Sequence, residues 1–484
     1  MSSQKIVLSW KGKKFDLEAE PNDTLADIRF KILSCTEVSP EHQKLIVAGK
    51  TLKAEEENFF KLNPKNKDLF MIEMKKPANP IPTSVAEDDD DDVESKDNKG
   101  KAADAMDVEK EEGDIPTGLK NLGNTCFMNA TIQCLNTVPI IRKSLADSPN
   151  IDESDPNDAT FTRSLGKLIG EISKSEYNFI IPDNFLSSLE KRYPEMVEKD
   201  EKLPVFVQQD AEECWLKILS SLNRSLKTKD GVSIKKYFSG QFETTLTNTE
   251  SKEEEPIANH EEFLKIATGI TKESRHLNQS ILESFTQTLE KESPTLGRSA
   301  KYESKTLISR LPEYLTIHLL RFEFRKGVTN TAKIMKEVDL PMELNMAHHC
   351  TKPLKEKFLK VQRHLEKVHD SPESVTETFD QVVDPEIKAD VGSNQTGLYE
   401  LTALITHQGR SANSGHYIAW ARVDESEYPS GYDKHKRNAD MKLWYQFNDH
   451  EVTMLYQKDI RNLFGGRGDS PTAYLGLYSA KKLE

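Results

Sequence analysis

The chain of 484 residues has room for roughly two to four domains, and with 36% hydrophobic and 30% charged residues it can build packed cores beside a charged surface. A formal net charge of −14 argues against generic nucleic-acid binding, which needs clustered lysine and arginine, and favours positively charged protein partners. Five cysteines without a CxxC pair argue against a disulfide framework or a structural zinc site and favour a reducing compartment.

The N-terminal stretch MSSQKIVLSWKGKKFDLEAE lacks the apolar core of a signal peptide. No run of 18 apolar residues occurs anywhere in the chain, so we expect no membrane span and no membrane partner. These features predict an intracellular protein.

Residues 4–76 have the pattern of a small α/β unit. Leu25, Ile28, Ile32 and Leu33 form the apolar stripe of one helix, and Asp23 or Thr24 can cap its start. Strands are predicted on both sides of this helix. The predicted elements lie at residues 5–10, 14–20, 23–36, 42–52 and 68–74.

In this order of elements, with a glycine turn at residues 48–50, the segment resembles ubiquitin, which has a β-grasp fold. Ubiquitin binds partners through an apolar patch on its sheet, and Ile46, Phe70 and Ile72 occupy the matching positions here. The alternative for these three residues is ordinary core packing. The segment continues through Lys75 and Lys76 and does not end in Gly-Gly. We therefore predict that residues 1–76 are a docking domain and not a conjugated tag.

Residues 77–114 contain three prolines, an acidic run from Glu87 to Asp92 and few large apolar residues. Because little apolar surface is available to offset the entropy of ordering, the segment is predicted to be an acidic disordered linker. Residues 115–484 then form one large α+β domain, interrupted by charged stretches at 249–262 and 352–395.

The stretch GLKNLGNTCFMNATIQC, residues 118–134, places a cysteine where a Gly/Asn loop becomes a helix. Asn124 or Thr125 can cap that helix, and Gly123 allows a tight turn before it. Cys126 at the helix start experiences the positive end of the helix dipole, which favours the nucleophilic thiolate. Cys134, two turns later on the apolar face, is typical of a packing cysteine.

A nucleophilic cysteine needs a base and a group that orients the base. In HQGRSANSGHYIAWAR, residues 407–422, a Gly/Ser/Asn loop presents His416 at the start of an aromatic strand, whereas His407 reads as strand-end packing. WYQFNDHEV, residues 444–452, ends a strand with Asn448, the preferred orienting residue. Asp449 is the alternative or an auxiliary acid, and a common Asn-Asp turn is the structural explanation for both.

With the stretches VQQDAEECW (207–215) and RLPEYLTIHLLRFEF (310–324), these motifs resemble those of the ubiquitin-specific proteases across about 115–480. The resemblance implies a papain-like fold with fingers, palm and thumb, and the activity of a thiol-dependent ubiquitinyl hydrolase. With the ubiquitin-like domain, the chain resembles the proteasome-associated members of that family.

The resemblance implies roles for single residues. Cys126 is the nucleophile, His416 the general base and Asn448 the orienting group. Asn121, five residues before the cysteine, is a side-chain donor to the oxyanion, or else a turn residue. These roles require no cofactor.

The resemblance also implies contacts with the ubiquitin tail. Gln208, Gln209 and Asp210 hold the tail near the site, or else form the cap and first turn of a helix. Tyr417 forms a wall of the groove for the two tail glycines, or else packs in the sheet.

Many family members carry a zinc ribbon with two CxxC pairs in the fingers, but residues 236–310 contain no cysteine. We predict no metal there and fingers held by packing or β pairing. The implied partners are ubiquitin, ubiquitin chains and the 26S proteasome regulatory particle, bound through residues 1–76 in the cytoplasm and nucleus. The alternatives are a non-catalytic ubiquitin-binding scaffold on the proteasome and a protease for another ubiquitin-like modifier.

Overall fold

The structure is a computed structural model, and it describes residues 4–73 and 115–482 apart from short gaps. The gaps are residues 11–12, 22, 37, 39–42, 48–49, 53–57, 63–67, 147–150, 200–204, 272–273, 325–330, 371–375, 412–413, 429–438 and 466–469. The predicted linker of residues 77–114 lies outside the described residues. The chain divides into two compact units, one formed by Met1–Gly113 with Glu176–Asn178 and the other by Asp114–Ser175 with Phe179–Glu484.

The N-terminal unit is a five-stranded sheet covered by a helix. Its strands follow the order β2-β1-β5-β3-β4, with β1 and β5 parallel. Alternate residues of β1, Ile6 and Leu8, are buried in one apolar cluster with Ile28 and Ile32 of the helix, as the two periodicities predict. This is the predicted β-grasp fold. Its elements are β1 Gln4–Trp10, β2 Lys13–Ala19, α1 Leu25–Thr36, β3 Gln43–Val47, β4 Lys50–Thr51, α2 Phe59–Leu62 and β5 Leu69–Glu73.

The start of α1 is fixed by Thr24, one of the two predicted caps. The Asp27 carboxylate accepts hydrogen bonds from Thr24 N (2.9 Å) and Thr24 Oγ1 (2.7 Å), and the Asp27 N–H donates to Thr24 Oγ1 (3.2 Å). This reciprocal arrangement satisfies donors that the first helical turn leaves without a partner.

One face of the β-grasp sheet exposes apolar side chains. Phe70 of β5 is 51% exposed, and Ile46 of β3 lies directly opposite it in the antiparallel pair and is half-buried. Side chains directly opposite one another in an antiparallel pair point to the same face. The sheet therefore presents an apolar surface at two of the three predicted positions, while the Ile72 side chain lies outside the described residues.

The larger unit begins with a helical layer. All ten residues of α3 are buried, because this helix lies between α7 and the strands of the large sheet. The helix α5 is capped by Asp155, whose side chain accepts from the N–H groups of Asn157 and Asp158. In the described part of the chain no helix is long and apolar enough to cross a membrane. The elements are β6 Gly118–Leu119, α3 Cys126–Leu135, α4 Pro139–Ala146, α5 Pro156–Lys174, β7 Phe179–Ile180, α6 Asp183–Arg192, α7 Ala211–Ser225 and α8 Lys235–Phe238.

Two sheets make up the rest of this unit. The large sheet has the order β10-β13-β21-β17-β18-β19-β20, with β16 paired to β17, and a four-stranded sheet has the order β11-β12-β8-β9. The elements are β8 Gly240–Asn248, β9 Ile257–Phe263, β10 Ile266–Gly269, α9 Leu277–Ser284, β11 Thr286–Ser293, β12 Arg298–Arg310, β13 Tyr314–Leu320, β14 Phe322–Phe324, β15 Thr331–Lys333, β16 Glu343–Asn345, α10 Lys352–Asp370, α11 Phe379–Val382, α12 Pro385–Ala389, β17 Leu398–Ser411, β18 Ser414–Arg422, β19 Leu443–Asn448, β20 Glu451–Tyr456, α13 Gln457–Ile460 and β21 Thr472–Ala480.

The large sheet joins both apolar cores of this unit. Its middle strands are buried on both faces: Ile405 of β17 belongs to the core shared with the helical layer, and Leu404 belongs to the core on the other side. The helical layer, the large sheet and the four-stranded sheet correspond to thumb, palm and fingers, in agreement with the predicted α+β fold. The large sheet positions the site, because the start of β18 and the end of β19 lie beside α3.

Candidate active site

The loop before Cys126 reverses the chain with two consecutive residues in the left-handed region, Gly123 (φ +99°) and Asn124 (φ +57°). The helix then begins at Cys126 with Thr125 at the N-cap position, but Thr125 makes no side-chain cap hydrogen bond. Its hydroxyl instead accepts from Leu122 N (2.8 Å), while Asn124 Nδ2 donates to the Phe206 carbonyl (2.8 Å). The predicted caps therefore stabilise the loop and not the helix start.

Asn121 is the central acceptor of this loop. Its Oδ1 accepts from Gly123 N (2.9 Å) and Thr125 N (3.1 Å), and its Nδ2 donates to Asp449 Oδ2 (3.0 Å). The turn role is therefore present in the structure. An amide nitrogen carries two N–H bonds and Asp449 takes one, so one remains for a substrate oxygen. The oxyanion role stays a prediction.

His416 is buried in β18 with its Nε2 facing the end of β19. Nε2 lies 2.5 Å from Asn448 Oδ1 and 3.7 Å from Asp449 Oδ2. Of the two predicted orienting residues, Asn448 is thus the direct partner of the imidazole and Asp449 the more distant charge. This geometry leaves Nδ1 for the Cys126 side, as the pairing of a base with a nucleophile requires.

Burial disfavours a charged imidazole, yet the surroundings of His416 reverse that effect. The charge and hydrogen bonding of Cys126, the carboxylate of Asp449 and the bond to Asn448 together raise the pKa of His416 to about 9. Because neutral pH lies below this value, the site favours an imidazolium beside the sulfur. Such a group can later donate its proton to a leaving amine.

Asp449 connects the cysteine loop to the turn after β19. It has a left-handed backbone (φ +53°), and its carboxylate accepts from Asn121 Nδ2 (3.0 Å) and Asn129 Nδ2 (2.8 Å). Its backbone carbonyl also accepts from Leu119 N (2.9 Å). Three contacts thus hold the segment around Cys126 against the turn after β19, across more than three hundred residues of sequence.

Asn129 is a site residue that the sequence reasoning did not identify. Its Nδ2 donates to the backbone carbonyls of Leu119 and Lys120 (3.2 Å each) and to the side-chain carboxylate of Asp449 (2.8 Å). No sequence signal marks Asn129, because its burial follows from the packing of α3, in which all ten residues are buried. A buried amide in such a place requires hydrogen-bond partners.

The segment before α7 brings Gln208 to the sulfur. Gln208 Nε2 lies 3.5 Å from Cys126 Sγ, and Gln209 is half-buried next to it. Asp210 is the N-cap of α7, accepting from Glu212 N (2.7 Å), and its other oxygen accepts from Tyr474 Oη (2.5 Å). For Asp210 the structure shows the helix-cap alternative, while tail binding by Gln208 and Gln209 stays a prediction.

Tyr417 does not line a groove in this structure. Only 1% of the residue is exposed, and its ring packs 4.9 Å from the His407 ring and 5.8 Å from the Tyr474 ring, between centroids. Successive side chains of β18 point to opposite faces of the large sheet. The Tyr417 side chain lies on the face that packs against the helical layer. The expected groove wall is therefore corrected to sheet packing, and His407 is buried packing as predicted.

The other cysteines do not take part in this site. Cys134, Cys214 and Cys350 are buried, and burial raises the pKa of each thiol; for Cys214 the value is about 12. All five cysteines are free. Across residues 4–73 and 115–482, outside the gaps, no group of three or more His, Cys, Asp or Glu side chains is arranged to hold a metal ion.

Two family models match the chain. The model described as Ubiquitin carboxyl-terminal hydrolase matches residues 117–478, and that described as Ubiquitin family matches residues 6–71. The chain is 32% identical to Ubiquitin carboxyl-terminal hydrolase 6 of Schizosaccharomyces pombe over 99% of both chains. It is 30% identical to Ubiquitin carboxyl-terminal hydrolase 14 of Caenorhabditis elegans, over 99% of this chain and 94% of the relative.

A solved structure shares the fold. It is described as the SAGA Ubp8/Sgf11/Sus1/Sgf73 DUB module bound to ubiquitin aldehyde. The similarity covers 79% of this chain and 72% of the other, with a TM-score of 0.51 and 21% sequence identity. This agreement supports the thumb, palm and finger arrangement.

Proposed function

Because this chain belongs to the ubiquitin carboxyl-terminal hydrolase family and is a thiol-dependent deubiquitinase with a ubiquitin-like domain, we propose that it acts on ubiquitin conjugates bound to the proteasome. It cleaves the isopeptide bond after the C-terminal glycine of ubiquitin or of ubiquitin chains, in cytoplasm and nucleus. The ubiquitin-like domain recruits it to the 26S regulatory particle and activates it. The observation that carries the proposal is a buried Cys-His-Asn site and an exposed β-grasp surface in one chain.

The first chemical step is attack by the Cys126 thiolate on the carbonyl carbon of the terminal glycine. A carbon–sulfur bond forms, and the carbonyl π electrons move to the oxygen. The remaining N–H of Asn121 supports a role in stabilising this oxyanion, together with a backbone N–H at the start of α3. The Asp449 carboxylate and the loop N–H groups hold the Asn121 amide in place.

The leaving group departs when His416 donates its proton to the lysine nitrogen and the carbon–nitrogen bond breaks. The raised pKa of His416 keeps this proton available at neutral pH. The acyl group stays on sulfur as a thioester. A water molecule, deprotonated by the now neutral His416, then attacks the thioester, releasing the ubiquitin carboxylate and the Cys126 thiolate.

The apolar pair Phe70 and Ile46 supports recruitment through the sheet of the β-grasp domain. A phenylalanine exposed by 51% beside a half-buried isoleucine offers the kind of apolar anchor that protein interfaces use. Because Phe70 contributes little to the core of its own domain, Phe70→Ser leaves the fold intact. The variant is expected to co-sediment less with proteasomes, with unchanged proteasome-free hydrolysis of ubiquitin conjugates.

A ubiquitin with a C-terminal electrophile tests the chemistry directly. Full-length protein is expected to form a covalent adduct at Cys126, faster in the presence of proteasomes, and Cys126→Ala none. Absence of the adduct under both conditions would sink the catalytic assignment and leave a ubiquitin-binding scaffold. Probes built on other ubiquitin-like modifiers provide the specificity control.

A further inference from the structure

The tip of the four-stranded sheet lacks the apolar core that normally holds a sheet in shape. The β9 strand is exposed from Ile257 to Glu262, and β11 is exposed from Thr286 to Glu292. Both outer strands thus face solvent for most of their length. Main-chain pairing alone leaves such a sheet free to twist and fray at its end.

At this tip, one carboxylate collects three hydrogen bonds from three different strands. Glu254, in the loop between β8 and β9, accepts from Asn248 Nδ2 (2.8 Å), Ser293 Oγ (2.6 Å) and Tyr302 Oη (2.6 Å). The donors stand at the end of β8, at the end of β11 and within β12. These bonds hold the pKa of Glu254 below its usual value, so the carboxylate remains ionised at neutral pH.

The three donors themselves are buried, although the carboxylate is half-exposed. Asn248, Ser293 and Tyr302 are 6%, 2% and 1% exposed. Asn248 Nδ2 also reaches Ser293 Oγ (3.2 Å), and Asn248 Oδ1 accepts from Glu250 N (2.8 Å). The polar groups of this cluster, which we call the Glu254 clasp, therefore find their partners in one another.

A second contact fastens the same loop to β12. Glu250 accepts from Lys301 N (2.9 Å) and pairs with Arg298 (2.8 Å), while Thr249 N donates to the Lys301 carbonyl (3.0 Å). The loop after β8 and the hairpin of β11 and β12 are thereby tied to each other. They are the two chain reversals at this end of the sheet.

A zinc ion does not fit this place. Structural zinc takes about four ligands, mostly cysteine thiolates and histidines. The chain has no cysteine between Cys214 and Cys350, and the clasp consists of one carboxylate, two hydroxyls and one amide that already bind each other. The contacts of Glu254 and Glu250 instead cross-link the two chain reversals.

We propose that the Glu254 clasp takes the place of a structural metal at the fingertip and holds the fingers in the shape that receives folded ubiquitin. The claim that the fingers receive folded ubiquitin rests on the proposed function. The claim that the clasp replaces a structural metal rests only on the hydrogen bonds and the ion pair described above. Glu254 lies in the loop between β8 and β9 and not in the active site, so it acts as a positioning residue.

The test compares Glu254→Gln with Glu253→Gln in the full-length protein. Both variants remove one charge from the same loop, but the Glu253 side chain is exposed and makes no hydrogen bond or ion pair within the described residues. Loss of charge-assisted hydrogen bonds is expected to speed hydrogen exchange of the Thr249 and Lys301 amides about tenfold in Glu254→Gln. Glu253→Gln is expected to match the wild type.

The functional arm measures labelling of Cys126 in the presence of proteasomes. With Glu254→Gln, labelling by a limiting amount of the ubiquitin electrophile is expected to slow several-fold, whereas alkylation by iodoacetamide, which needs no fingers, stays unchanged. Tyr302→Phe removes a single donor and is expected to give a smaller change in the same direction. If Glu254→Gln does not fold, the same measurements are made on Tyr302→Phe.

Three outcomes would overturn the proposal: equal exchange in Glu254→Gln and Glu253→Gln, equal ubiquitin labelling in both, or faster exchange of the wild-type fingertip after addition of a metal chelator. A wild-type protein that ubiquitin probes do not label overturns the proposed function instead. The exchange comparison still decides the clasp in that case.

Discussion

At the scale of single residues, the site depends on His416 being charged although it is buried. Desolvation works against the imidazolium, and the interactions with Cys126, Asp449 and Asn448 outweigh it. These neighbours come from two distant segments, the start of α3 and the end of β19, so the balance exists only in the folded chain. Asn448 at 2.5 Å orients the ring, and Asp449 at 3.7 Å adds charge.

Asn448→Ala is expected to move the basic limb of the pH profile of ubiquitin-substrate kcat/KM, measured with proteasomes, to lower pH. In the wild type the limb is expected near the His416 pKa of about 9, since the imidazolium is the general acid below it. Removal of the acceptor lowers that pKa because the charged form loses a hydrogen bond. Asp449→Asn is expected to shift it in the same direction. An unchanged limb in both variants contradicts the assignment of the acid.

The same raised pKa links stability to pH. His416 titrates near 6.5 when unfolded and near 9 when folded, so its contribution to the free energy of unfolding is complete below pH 6.5 and is lost as pH rises to about 9. Wild-type protein is therefore expected to lose more stability over this interval than Asn448→Ala, whose His416 lacks the hydrogen bond that favours the charged ring. Chemical denaturation at pH 6 and pH 9 measures the difference. Parallel losses in the two proteins speak against a His416 pKa raised by this contact.

Asn121→Ala is expected to lower kcat by about 10²–10³-fold with little effect on the affinity for ubiquitin, because an oxyanion donor acts mainly in the transition state. Asn121 also supports the loop through Gly123 and Thr125, so kcat has to be measured well below the melting temperature of the variant. Ubiquitin binding serves as the control for loop integrity. A loss confined to binding would assign Asn121 to the turn alone.

At the scale of elements, the helix α3 begins where the sequence predicts, but the reason differs. Capping was expected from Asn124 or Thr125, whereas both side chains hold the loop. The left-handed pair Gly123 and Asn124 makes the turn, and this depends on residues that tolerate positive φ. The cysteine loop is therefore shaped by its backbone conformation, by bonds within the loop and by a bond to the Phe206 carbonyl.

Gly123→Ala and Gly170→Ala form a matched pair of substitutions. A Cβ at Gly123 meets Val205 at 3.3 Å with φ at +99°, so Ala is expected to destabilise the fold by about 1–2 kcal/mol and to reduce activity. Gly170 lies inside α5 with no atom within 4 Å of an added Cβ, and Ala there is expected to stabilise by about 0.5–1 kcal/mol. Thermal melts measure both changes. Shifts of the same sign would show that the cysteine loop carries no conformational constraint.

The fingers are the part of the fold whose secondary structure the sequence pattern predicted least well. The charged stretch at 249–262, which the sequence analysis treated as an interruption of the domain, contains most of β9. A strand exposed on both faces needs no apolar alternation, so IANHEEF has no period to detect.

At the scale of the whole molecule, the chain combines an enzyme with a second module that resembles its substrate. Each unit has its own apolar core, so each folds around residues of its own. Such an arrangement permits the two to be separated by deletion without exposing a shared core.

The fragment 115–484 is expected to keep its proteasome-free rate of labelling by the ubiquitin electrophile and to lose the stimulation by proteasomes. The reason is that the site residues all lie within the fragment, while the proposed docking surface at Phe70 does not. Parallel labelling reactions with and without proteasomes measure both rates. Full stimulation of the fragment would remove the ubiquitin-like domain from the activation step.

The sequence by itself determined the two modules, the nucleophile candidate Cys126 and the base candidate His416. Local signals sufficed for these: a periodic helix, a Gly/Asn loop, and strand-end polar residues. Only the tertiary structure decided that Asn448, and not Asp449, is the direct partner of the imidazole and that Asn129 donates to Asp449. It also decided that Tyr417 is buried and that Glu254 links the strands at the tip of the fingers. The physical reason is that each of these depends on which side chains from distant segments meet, and hydrogen bonds and burial have no period along a chain.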